Sequence, residues 1–276
     1  MIGGSLLRAV KVAFPEIALA AWGRRQEVVD RIVAEGRASF ASTDMGEVVT
    51  GADLIVLALP VEFMAAAVEK FPPLTDDRGN PGGKVIVTDV GSVKASVVAE
   101  LTPLVEERGG VFVGSHPMAG SEKSGMEFAS AELFQEAPVI VVSASDEYQR
   151  ETDAVARFWA GLGGFVSRMS ADQHDRMVAA ISHLPHVVAS ALARNVFQNQ
   201  REALPYAAGG FRDTTRIASS AADMWSGILM ENREAIREQL DRFAGEMEEW
   251  RSILQSGDRE KLRRFLSQAS EGRESV

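Results

Sequence analysis

Four histidines occur in the chain, and one of them, His116, stands in the run Val113-Gly114-Ser115-His116-Pro117-Met118-Ala119-Gly120-Ser121-Glu122-Lys123-Ser124-Gly125. An unperturbed imidazole titrates near pH ~6.5, so it can take or give a proton close to neutrality. The apolar run 111–113 leads into this histidine, and a loop of small and hydroxyl-bearing residues follows it. That order reads as a strand end opening into a site. A single histidine after a strand is more often structural than catalytic, so its companions decide the matter.

The companions are spread along the chain. Ser92 follows Thr88-Asp89-Val90-Gly91, where one hydroxyl can cap a helix and also face a ligand. Ser182-His183-Leu184-Pro185-His186 falls inside a long helical stretch. Ser182 and His186, four apart, share a face while His183 points elsewhere. Pro185 lacks an N–H, so the helix should kink beside them. By itself His186 reads as a core histidine. Further on come Gly209-Gly210-Phe211-Arg212-Asp213-Thr214-Thr215-Arg216 and Asp223-Met224-Trp225. The guanidinium of Arg216 matches a carboxylate with two parallel donors, which suits an acidic substrate. The plainer reading pairs Arg216 with Asp213 three residues earlier and leaves Trp225 in the core.

A second set of residues points to a nucleotide. Met1-Ile2-Gly3-Gly4-Ser5-Leu6 looks like the end of a glycine-rich turn running into a helix. The dinucleotide fingerprint is a strand, G-x-G-x-x-G and then a helix, whose first amides hold the pyrophosphate. Only its last part is present, so the first strand is expected to be missing and the start to lie inside the turn. A flexible terminus is the alternative. After the next apolar run comes Gly23-Arg24-Arg25, with glycine where an NAD site places an acid for the ribose and arginines that suit a 2′-phosphate. Leu59-Pro60-Val61 and Asp89 to Gly91 follow two further apolar runs. Ligands of open α/β sheets gather beyond the carboxyl ends of strands, so these stretches should border the cofactor, NADP in preference to NAD.

The elements that must position these groups alternate up to about residue 169. Apolar runs at 17–22, 53–59, 84–89, 111–114, 138–143 and 165–168 predict strands, and 26–35, 61–70, 93–107 and 148–162 predict helices between them. This is the pattern of a Rossmann-like, doubly wound parallel sheet. Ser170-Ala171-Asp172-Gln173 then has the form of a capping box opening a helix to about residue 200. No strand is expected after it. Residues 1–169 and 170–276 thus divide into an α/β domain and an all-helical one, the latter with helices near 223–255 and 258–270 and a disordered polar tail.

Composition narrows the function classes. The chain has 276 residues, a formal charge of −10 and no cysteine. Cysteine's absence excludes disulfides, thiolate metal sites and a cysteine nucleophile, and fits the cytoplasm. The negative charge disfavours nucleic acid and anionic membranes as partners. No apolar run reaches the ~18 residues of a membrane span, and no metal site is expected.

Taken together, Ile2 to Ser5, Thr88 to Lys94, Gly114 to Gly125, Ser182 to His186, and Gly210 to Arg216 with Trp225 resemble, in order, the motifs of the prephenate/arogenate dehydrogenase family of tyrosine biosynthesis. That resemblance implies a nucleotide-binding domain followed by a helical dimerisation domain, with the active site between them. It implies that His116 takes the proton of a ring hydroxyl while hydride leaves the same carbon for nicotinamide, and that loss of the ring carboxylate as carbon dioxide completes the aromatic ring. It casts Ser92 as a partner of that histidine and of the substrate hydroxyl, and Arg216 as the carboxylate binder. Ser182, His186 and Trp225 become pocket residues, and Asp213 approaches the neighbouring site of a homodimer. Other readings remain open: an arogenate-selective enzyme, a β-hydroxyacid dehydrogenase type, which usually relies on a lysine in the helical half, or a non-catalytic, shortened product of the family.

Overall fold

The computed structural model describes residues 1–74, 84–120 and 125–274. Ser121, Glu122, Lys123 and Ser124 of the His116 motif lie outside them. Seven strands precede residue 169 among the described residues: β1 (Ala20–Trp22), β2 (Phe40–Ser42), β3 (Leu54–Leu57), β4 (Ile86–Asp89), β5 (Val111–Pro117), β6 (Pro138–Ser143) and β7 (Phe165–Arg168). Between them run α1 (Ile2–Ala13), α2 (Gln26–Ala34), α3 (Met45–Val49), α4 (Met64–Val68), α5 (Ala95–Glu106) and α6 (Gln149–Gly161). Helices alone follow: α7 (Ala171–Val178), α8 (Leu184–Asn199), α9 (Gly209–Thr215), α10 (Ala222–Glu231), α11 (Arg233–Ser256) and α12 (Arg259–Glu274). No described helix is long and apolar enough to cross a membrane.

The sheet is in two pieces. β1 and β2 form a parallel pair, and β3-β4-β5-β6-β7 form a five-stranded sheet that is parallel except between β5 and β6. The expected Rossmann-like sheet is present and differs from the expectation in three details. The arrangement is mixed rather than all parallel, because the segment after β5 returns on the same side, where the Met118 amide donates to the Pro138 carbonyl. The strand at 40–42 was not foreseen, since three half-exposed residues show no alternation to read. The first expected strand is also shorter, beginning at Ala20.

Helix α1 ties the two pieces together. Leu6, Ala9 and Val10 pack with Val111, Val139 and Trp159 on the larger sheet, while Leu7 packs with Ala21 and Ile32 beside the β1-β2 pair. Its first turn packs closely on neighbouring side chains: a methyl group on Gly3 would meet Ala58 Cβ at 3.2 Å, and one on Gly4 would meet Ala129 Cβ at the same distance. Phe14 ends the helix ahead of Pro15, which disfavours helical geometry in the residue before it. On the opposite face of the large sheet, Leu57, Val87 and Phe112 pack with Met64, Val97 and Leu101, and Ile228 and Trp225 of α10 join them. The helical half therefore shares a core with the sheet half.

The long helix from residue 170 is interrupted as expected, in a different form. Ser170 caps α7 by accepting from the Gln173 amide at 3.2 Å. The turn Ala179–His183 is then π-helical before α8. A wide turn relieves the clash that Pro185 would have with the carbonyl of Ile181 and leaves no N–H missing from a regular ladder. The stretch at 223–255 is likewise two helices, parted at the buried Asn232. The expected disordered tail is helical through Glu274.

Candidate active site

His116 lies inside β5, opposite Ile140 of β6, rather than in a loop beyond the strand. Alternation along a strand sends Ser115 to one face and His116 to the other. Ser115 is fully buried: its hydroxyl donates to the Asp89 carbonyl at 2.5 Å and accepts from Trp159 Nε1 of α6 at 2.9 Å. His116 turns toward α7 and is 8% exposed. Gly114, on the same face, leaves room for the stem of Lys94, whose Cδ would be 3.3 Å from a methyl group there.

The partner of His116 is His174, which the sequence did not single out. His116 Nδ1 and His174 Nε2 are 2.8 Å apart, and His174 Nδ1 is 2.7 Å from Asp175 Oδ1. The Asp175 carboxylate also accepts from the amides of Lys94, at 2.8 Å, and Ala95, at 2.9 Å. It thereby caps α5 from the other half of the molecule, the position expected for Ser92. Ser92 itself is half-buried in the turn before α5, and its hydroxyl does not cap the helix. Burial alone would raise the pKa of Asp175, but the bonds from His174, Ala95 and Lys94 outweigh it and hold the carboxyl below its usual range. The His116 imidazole is held well below 6.5 by burial first, then by the charges of His174, Lys94 and His183.

The other two histidines complete the cluster. His183 Nδ1 lies 3.1 Å from Asn232 Nδ2, which also donates to the Asp175 carbonyl at 2.8 Å. The π turn brings His183 and His186 to the same tryptophan. The rings of His186 and Trp225 stack at 3.5 Å and 6°, and His183 meets Trp225 edge-on at 6.0 Å. The expectation that His183 points elsewhere is thus corrected, because it assumed a regular helix. His186 Nδ1 is buried with no hydrogen-bond partner among the described residues. Such an atom costs about 1–3 kcal/mol unless a ligand satisfies it.

Of the remaining expected residues, Ser182 is half-buried in the π turn, and Arg216 is exposed at the start of the short 3₁₀ helix Arg216–Ser219, which packs on α8. Asp213 is exposed on α9. Gly3 and Gly4 form the first turn of α1, Arg24 and Arg25 are exposed beyond β1, and Leu59, Pro60 and Val61 follow β3. Leu59 and Val61 border the same apolar cluster as Trp225. Three of the residues expected at the cofactor are engaged within the protein. Ser5 is fully buried and accepts from the Ser130 amide at 3.1 Å. Asp89 is fully buried, its two oxygens taken by the Ser115 and Gly91 amides and by the Lys94 ammonium, so its side chain has no surface for a nucleotide. The Gly91 amide is consumed in that same turn, where a methyl group would meet Asp89 Oδ2 at 2.8 Å.

The buried histidines make stability pH-dependent in a definite direction. His116, His183 and His186 all have lowered pKa values, His183 to about 4, chiefly through burial. The unfolded chain therefore binds more protons between pH 6.5 and 4, and stability present above 6.5 is lost as the pH falls through this window. His183 alone should remove ~2 kcal/mol between pH 7.5 and 5. Urea midpoints at the two pH values test this, and equal midpoints would contradict it. Asp175, with its lowered pKa, acts in the same direction only at more acid pH.

Residues 19–168 match the nucleotide-binding domain of prephenate dehydrogenase, and residues 170–268 match its dimerization domain. Cyclohexadienyl dehydrogenase of Zymomonas mobilis is 33% identical over 278 residues, covering 99% of this chain and 92% of its own. Prephenate dehydrogenase of Bacillus subtilis is 30% identical over 284 residues, covering 100% of this chain and 74% of its own. The crystal structure of the A. aeolicus prephenate dehydrogenase in complex with hydroxyphenyl propionate and NAD+ aligns with a TM-score of 0.89 at 28% identity, over 99% of this chain and 94% of that one. Both halves match in order, and the buried histidines gather where they meet: the chain belongs to the prephenate dehydrogenase family of oxidoreductases.

Proposed function

We propose that this chain catalyses the oxidative decarboxylation of prephenate to 4-hydroxyphenylpyruvate, with arogenate as the alternative substrate and NAD(P) as the hydride acceptor. The observation that carries the reading is His116, a buried imidazole kept neutral at physiological pH on the strand face that meets the helical half. A neutral imidazole takes the ring hydroxyl proton as hydride departs from the same carbon, a contribution worth typically ~10²–10⁴-fold. The electron pair of the breaking carbon–carboxylate bond then completes the aromatic ring, so the protein supplies mainly orientation and charge complementarity.

The residues around the carboxyl ends of β1 and β3 fit a dinucleotide. The close packing of Gly3 against Ala58 and of Gly4 against Ala129 sets the amino end of α1, and Leu59 and Val61 border the apolar cluster that includes Trp225. When bound, nicotinamide supplies the acceptor for hydride. Arg24 and Arg25 with Gly23 favour a 2′-phosphate, hence NADP over NAD. His186 Nδ1, Ser182 and Trp225 line the substrate side, with Ser92 toward the ring hydroxyl. The match to a dimerization domain supports a homodimer, as do the exposed apolar residues Phe197, Tyr206 and Leu254 of the helical half. Asp213 would then approach the partner's site.

Initial rates with prephenate and arogenate, each with NAD and NADP, test the reading. Oxidation of short hydroxyacids with no turnover of either cyclohexadienol would overturn it. For Arg216, the expected result of Arg216→Ala is a KM for prephenate raised about 10- to 100-fold with kcat within a few-fold, the loss of one charge-assisted carboxylate pair. An unchanged KM would assign the carboxylate to another cation.

A further inference from the structure

We infer that His174 and Asp175 of the helical half are positioning residues that hold His116 in the Nδ1–H tautomer, so that its Nε2 lone pair is the one offered to the substrate hydroxyl. The inference rests on the reading of His116 as the base and adds what makes it one.

Asp175 is tied to two backbone amides and to a ring nitrogen, and an ionised carboxylate only accepts. His174 Nδ1 must therefore carry the proton that it shares with Asp175. A neutral imidazole has one N–H, so His174 Nε2 is an acceptor. The hydrogen in the 2.8 Å contact between the rings then belongs to His116 Nδ1. Only Nε2 of His116 remains to take a proton. The opposite polarity would set a ring lone pair against a carboxylate oxygen at 2.7 Å.

The anchor of this relay is rigid. Asp175 is fixed by the first turn of α5, and its own carbonyl accepts from Asn232, which also holds His183. When His116 Nε2 accepts the hydroxyl proton, the imidazolium formed keeps its Nδ1–H on His174, and the Asp175 charge faces the same ring system. The other ionisable groups around the pair are Lys94, itself bound to Asp89, and His183. A second proton on His174 would reverse the polarity, force the His116 proton onto Nε2 and silence the base.

Two variants and one spectroscopic measurement test the relay. In wild-type protein, nitrogen-15 correlation spectra of the imidazoles should give His116 as the Nδ1–H tautomer. His174→Phe should convert it mainly to the Nε2–H form, lower kcat about 10- to 100-fold with KM for prephenate within twofold, and displace the acid limb of the pH profile. His174→Gln, whose amide oxygen can accept from Nδ1–H, should restore the tautomer and most of kcat. An Nε2–H form in wild type, or a Phe variant with wild-type tautomer and rate, would overturn the inference. If the Phe variant does not fold, a Gln variant with the Nε2–H form would also overturn it. An Nδ1–H tautomer in a wild-type protein that turns over neither cyclohexadienol would support the relay and overturn the reading of the reaction instead.

Discussion

Replacing His116 by asparagine should lower kcat by about 10²–10⁴-fold while leaving KM and the thermal midpoint nearly unchanged. The side chain is on a strand whose packing is set mainly by its neighbours: Val113 and Ser115 are fully buried on the opposite face, and Gly114 is packed by Lys94. Asparagine keeps an amide that can donate to His174 Nε2, so the strand and the domain contact survive. What is lost is a proton acceptor at the place of Nε2. Because burial holds the pKa of His116 well below 6.5, the wild-type acid limb of kcat/KM should lie below that pH and be absent from the variant. Turnover within tenfold of wild type would remove His116 from the role of base.

Asp175→Ala should have a different signature, with activity and stability falling together. The carboxylate accepts three hydrogen bonds from groups in a buried boundary, two of them the first amides of α5. Loss of a helix cap costs ~1–2 kcal/mol, and leaving a buried donor without a partner costs about 1–3 kcal/mol. A loss on the order of 3 kcal/mol follows, which for a chain of this size lowers the midpoint by about 6–12 °C. Scanning calorimetry beside a rate assay separates it from His116→Asn, which should change the rate alone. A variant with an unchanged midpoint would mean that water caps α5 adequately.

The relation between sequence and site explains why part of the site was legible. His116 stood out because glycine and proline bracket it after an apolar run. Ser170 and the turn of α7 were legible because capping chemistry is local. His174 and Asp175 were not noticed, since their partners lie 58 and 80 or more residues away and no short motif records such a pairing. A signal did exist: His174 and Asp175 each stand four residues before a buried apolar residue, Val178 and Ala179, so they occupy the inward stripe of an amphipathic helix. Charged groups there need a partner. The pairing of Asp89 with Lys94, five residues later, was not legible either, because a strand end does not announce a buried ion partner.

The divided sheet has a consequence for where the molecule can breathe. Among the described residues β1 pairs with β2 alone and β3 with β4 alone, so the ribbon that ends in Arg24 is fastened to the rest through the side chains of α1 and α3 rather than through a backbone ladder. Small cooperative units of this kind open at less than the global free energy and exchange their amides sooner. A dinucleotide spanning from Arg24 to Val61 would act as a crosstie between ribbon and main body. The tightness with which it is held and the order of that ribbon then become one quantity, set by how many apolar atoms α1 and α3 lay across the seam.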